Sequence, residues 1–99
     1  MAVLYISEYD RVAIAAGAGM AMGAEPAKAS QTVAISGSTT QSSAFGTTTA
    51  YIRVHSDVIC SIAIGANPTA TAATARLAAN QTEYFAVNAG HKLAVITNV

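Results

Sequence analysis

The 99-residue chain has no tryptophan, a single cysteine, two prolines and a charged fraction of only 10%. One cysteine excludes an internal disulfide framework. Five basic residues balance five acidic ones, for a formal net charge of +0. That balance provides no basic track for nucleic acid, no polybasic patch for a membrane and no acidic tail. Long, strongly apolar runs are also missing. The longest uncharged weakly apolar stretch, Val12 to Ala24 (VAIAAGAGMAMGA), is shorter than the ~18 residues a transmembrane helix needs. Glu8 and Asp10 precede it, it lacks Leu and Phe, and Gly17, Gly19 and Gly23 interrupt it, so it reads as a loop or extended arm and not as an export signal. Its GxGxxxG spacing is one residue too long for a dinucleotide fingerprint, and Pro26 arrives before any helix could follow.

What the chain does have is alanine. Hydrophobic residues make up 53% of it, but 23 are alanines, whose methyl groups remove little apolar area from water. Roughly 29 larger apolar residues are left, enough for one small domain spanning residues 1–99. With few charges, the surface must be largely Ala, Thr, Ser and Gly, which protects poorly against association. The composition therefore predicts a chain that works in an assembly.

The periodicities are those of strands. Thr32–Ser36 alternates Val33 and Ile35 against polar or small residues, and Thr47–His55 alternates Ile52 and Val54 against Tyr51, Arg53 and His55. Val58–Ile64 is rich in β-branched residues and ends at Gly65-Ala66-Asn67-Pro68. Glu83–Val87 and Lys92–Thr97, joined by Asn88-Ala89-Gly90-His91, predict a β-hairpin, and Val3–Ile6 is a further short strand. No segment carries a helical stripe of large apolar residues; Thr69–Ala79 comes nearest, weakened by its threonines. The expected fold is all-β, a single-domain β-sandwich or small jelly-roll-like barrel with long Ala/Ser/Thr-rich loops. Its predicted core is Val33, Ile35, Ile52, Val54, Ile62, Ile64, Phe85, Val87, Leu93 and Val95. Residues 11–30 are expected to form a flexible Ala/Gly-rich arm or loop. Ser36–Thr49 and Gly65–Ala75 are low-complexity loops that a partner would stabilise.

Chemistry is hard to place on this sequence. Among the acids only Glu8 and Asp10 are close together, at the end of the first strand, where a solvated turn is expected. His55, His91 and Cys60 lack metal-ligand spacing, and Cys60 is expected in the core, away from Asp57 in its turn. The reading is non-enzymatic, with no catalytic residue, no metal and no cofactor. The candidate site is an interface: Tyr51, Arg53 and His55 share one strand face, Tyr84 lies on the matching outer face of its strand, and Tyr and Arg are interface residue types. Val12, Ile14, Met20 and Met22 are the candidate partner-contacting groups of the arm.

Three stretches carry a resemblance: LYISEY at the start, AYIRVHSDVICSIAIGANPTATA in the middle and RLAANQTEYFAVNAGHKLAVITN at the end. The strand ending in Arg53-Val54-His55-Ser56-Asp57, the apolar strand running into Gly65-Ala66-Asn67-Pro68-Thr69-Ala70-Thr71 and the closing segment from Arg76 to Phe85 resemble small virion proteins of tailed bacteriophages and prophages. Residues 11–30 and the loop after Ser36 fall outside it. In size and β character the chain is similar to capsid decoration, or cement, proteins. That resemblance implies a homo-oligomer, a trimer by preference, bound to the phage major capsid protein on the virion surface and made in the bacterial cytoplasm without a signal peptide. Neither nucleic acid nor membrane is an expected partner. The alternatives are another virion component, in the neck, tail or head fibre, and a host-surface or carbohydrate-binding module.

Overall fold

The computed structural model describes residues 2–10, 12–15, 18–23 and 26–98, with backbone alone for 12–15 and 18–23. Ten strands run in chain order: β1 (Val3–Tyr9), β2 (Val12–Ala15), β3 (Ala18–Gly23), β4 (Ala29–Ala34), β5 (Thr40–Gln41), β6 (Tyr51–Ser56), β7 (Cys60–Gly65), β8 (Ala75–Leu77), β9 (Thr82–Ala86) and β10 (Lys92–Thr97). The fold is all-β. Two four-stranded antiparallel sheets, β4-β1-β6-β9 and β5-β10-β7-β8, pack face to face, while β2 and β3 pair only with each other. The sheets do not close into a barrel.

Alternation explains the packing. In β1, Leu4 and Ile6 point inward and Tyr5 outward, and β6 places Ile52 and Val54 inward with Arg53 and His55 outward. Cys60, Ile62, Leu77, Leu93 and Val95 face them from the second sheet. Burial of these side chains contributes about 1.5–3 kcal/mol for each large one, which is what holds two alanine-rich sheets together. Of the predicted core, Val33, Ile35, Ile52, Val54, Ile62, Leu93 and Val95 are buried, while Ile64, Phe85 and Val87 pack against the core from its rim.

Four local expectations need correction. Glu83–Val87 and Lys92–Thr97 do not form a hairpin: β9 pairs with β6 in one sheet and β10 with β7 in the other. Their connection crosses between sheets and grips Phe45, whose N–H donates to the His91 carbonyl at 2.8 Å and whose carbonyl accepts from Gly90 at 3.1 Å. Gly90 supplies the positive φ of 80° that this turn requires. Phe45 itself, from the supposed low-complexity loop, is only 2% exposed and fills the core between the sheets. Glu8 is not in a solvated turn but 4% exposed on the inner face of β1. Within the span where a loop or extended arm was expected, β2 and β3 pair antiparallel, in register at Ile14↔Gly19 and Ala15↔Ala18. The β-branched Val12 and Ile14 favour strand at those positions.

The Ala/Thr-rich loop after β7 also has a structural role. Gln41 and Ser61 lie on the outer side of the second sheet and tie this loop down. Gln41 Nε2 donates to Asn67 Oδ1 and to the Pro68 carbonyl, each at 2.9 Å. Asn98 Nδ2 bridges Ser61 Oγ at 2.6 Å and the Ala72 carbonyl at 3.2 Å. The facing pair Ala63 and Ala94 is small enough to let the loop approach, and Ala94 and Ala70 are buried beneath and within it. One outer face of the sandwich is thus sealed by the chain's own loop.

Candidate functional site

The other outer face, on β4-β1-β6-β9, is built in cross-strand rows. Tyr5 lies opposite Thr32 on β4 and His55 on β6, and His55 lies opposite Thr82 on β9. In the next row Ser7 lies opposite Ser30 and Arg53, and Arg53 opposite Tyr84. The following row pairs Tyr9 with Tyr51. Directly opposed side chains on one face are ~5 Å apart, so each row forms a continuous surface.

This face carries both exposed large hydrophobic side chains among the described residues, Tyr5 at 46% and Tyr84 at 40%. Tyr5 and His55 rings are tilted with centroids 6.4 Å apart, and His55 Nδ1 is 2.8 Å from Thr82 Oγ1. That contact fixes the ring so that Nε2 is left for another partner. Arg53 is half-buried in the middle of its row and makes no hydrogen bond or ion pair with any described residue. Tyr5, Ser7, Ser30, Thr32, Arg53 and His55 line an open groove of about 580 Å³. Its polar side chains are rich in donors and include no carboxylate.

Of the residues expected at an interface, Arg53, His55 and Tyr84 share this face, and Tyr84 is open to solvent. Tyr51 differs: although it lies on the outer side of β6 it is only 7% exposed, stacked on Tyr9 at 5.3 Å and tilted against Tyr84 at 6.3 Å. Aromatic stacking has turned it from a surface contact into a support for the face. Val12 and Ile14 fall in β2 and Met20 and Met22 in β3, and their side chains lie outside the described residues. Sequence reasoning missed Tyr5, Ser7, Ser30 and Thr32. The signal for Tyr5 was present, since period two sets it opposite Leu4 and Ile6, but β1 and β4 become neighbours only through the tertiary fold.

The other reactive groups are not gathered together. Cys60 is buried in the second sheet, where burial pushes its thiol up and a hydrogen bond with Ser56 partly offsets the rise. His55 lies on the outside of the first sheet, so the two cannot act as a nucleophile and base. Among the described residues no group of three or more His, Cys, Asp or Glu side chains could hold a metal ion, and no helix is long and apolar enough to cross a membrane. Glu8 has a local task instead: its Oε1 accepts from the Gly46 N–H at 2.9 Å and the Thr49 hydroxyl at 2.8 Å, and its Oε2 accepts from Gln31 Nε2 at 3.4 Å. Comparisons with protein-family models, with curated proteins and with solved structures return no match to this chain.

Proposed function

We propose that this chain is a non-enzymatic structural protein of a tailed-phage particle, a capsid decoration protein that binds the outer shell as a homo-oligomer and staples neighbouring capsid subunits. The observation that carries the reading is the asymmetry of the sandwich. One outer face is sealed by the chain's own loop, while the other offers Tyr5, Tyr84 and an Arg53 with no partner among the described residues, residue types suited to a protein interface. A decoration protein needs a compact body, a face for its own copies and a separate contact to the shell. The sandwich, the open face and the β2–β3 pair supply one part each. Weak contacts repeated by symmetry then sum, so avidity replaces single-site affinity. The resemblance of the RVHSD, GANPTAT and RLAANQTEYF stretches to small virion proteins supports the same reading.

The test is immunogold labelling of intact virions with antibody raised against this chain. Label spread over the head supports the proposal. Label confined to the neck or tail, or virions without label, would overturn the decoration role.

A further inference from the structure

We infer that the groove on the open sheet face is completed by a second copy of this chain, whose Asp10 carboxylate seats against Arg53. This rests on the reading of that face as the oligomer interface, and names the contact that closes it.

Three observations lead there. The groove's polar lining, made by Tyr5, Ser7, Ser30, Gln31, Thr32, His55 and Arg53, includes the Arg53 cation and no carboxylate. Arg53 is half-buried at its edge with no partner among the described residues. A guanidinium stays charged at any physiological pH, and covering it in an interface without an acceptor is costly, so whatever docks there must bring an anion. A planar carboxylate matches the guanidinium fork and needs only one cation, as this groove provides.

The chain's own acids then narrow the source. Glu8 is buried and already filled by Gly46, Thr49 and Gln31. Glu83 accepts from Gln81 Nε2 at 2.8 Å, and Asp57 is half-buried beyond the far end of β6. Asp10 alone among the described carboxylates is exposed, and it has no partner among those residues. It stands in the bend just after β1, where the alternation of faces has ended, three residues past Ser7, the register partner of Arg53, and so about 10 Å from the Arg53 row. A symmetry axis passing near the Tyr9–Tyr51 pair would interleave the two positions, each copy giving Asp10 to one neighbour and receiving a neighbour's carboxylate at Arg53. Tyr5 and Tyr84 flank the pair and exclude water from it.

Sedimentation velocity at micromolar concentration tests the contact with four proteins: wild type, Arg53→Asp, Asp10→Arg, and the double charge swap. Far-ultraviolet circular dichroism verifies the fold of each. Each single variant is expected to weaken association on the order of thirty-fold or more, and the swap to restore it to within a few-fold of wild type. If a charge reversal prevents folding, Arg53→Gln, Asp10→Asn and their double variant carry the same comparison, with non-additive losses expected. Oligomeric single variants, a swap that stays dissociated, or additive neutral variants would overturn the Asp10–Arg53 contact while leaving the oligomer reading intact. A monomeric wild type would overturn both.

Discussion

Replacing Glu8 by alanine should release the segment 43–49 from the sandwich. In the native protein this buried carboxylate accepts two short hydrogen bonds, from the Gly46 N–H at 2.9 Å and the Thr49 hydroxyl at 2.8 Å, plus a long one from Gln31 at 3.4 Å. Hydrogen bonds to a charged group contribute about 1.5–3 kcal/mol each, and the 3.4 Å contact adds little. The gross loss from the two short bonds is therefore about 3–6 kcal/mol. Two effects reduce it: no charge need be desolvated in the variant, and the Thr49 hydroxyl can rotate toward another acceptor. A net destabilisation of about 2–4 kcal/mol is expected, and about 1 kcal/mol for Glu8→Gln, which keeps one acceptor oxygen but turns an amide toward Gln31. Urea unfolding followed by tyrosine fluorescence or circular dichroism measures both, at one fixed protein concentration because association adds to apparent stability. Hydrogen exchange should show protection lost at Phe45, Gly46 and Thr49 while β1 and β6 stay protected. A Glu8→Ala protein within about 0.5 kcal/mol of wild type, the range of an ordinary surface substitution, would refute the assignment of this carboxylate as the clasp.

Two further outcomes follow from the packing. Ala94→Leu should cost about 1–3 kcal/mol and raise exchange in residues 67–73, because Ala94 is fully buried opposite Ala63 and a larger side chain must lift the sealing loop; unchanged stability and exchange would mean the loop does not rest there. Cys60 should resist thiol reagents until the chain unfolds, and its raised thiol pKa contributes stability that is complete below the ordinary thiol value and lost as pH rises through the native one. Urea midpoints between pH 7 and 10 should therefore fall more steeply for wild type than for Cys60→Ala, and parallel curves would contradict the burial of this thiol.

Strand identity was legible in the sequence wherever β-branched residues alternate with small or polar ones, because period two is a local property of an extended backbone. Ile52 and Val54 against Arg53 and His55 is one such case, and Lys92–Thr97 matches its strand at both ends. The low charge and the alanine-rich composition likewise set the expectation of an assembly, with neither nucleic acid nor membrane as partner, before any strand was paired. Pairing was a different matter. A short Gly-containing connection fits a hairpin or a crossing between sheets equally well, and the choice at Asn88–His91 was made by Phe45, which needed that turn's backbone groups to enter the core. Tyr51 was readable as outward-facing but not as buried, since its burial comes from Tyr9 and Tyr84 on strands brought beside it. The same holds for the face as a whole. Local pattern set which side chains point out, while the tertiary structure decided which outer face the Ala/Thr loop would cover and which would stay open, because that depended on small residues, Ala63 and Ala94, meeting across two distant strands.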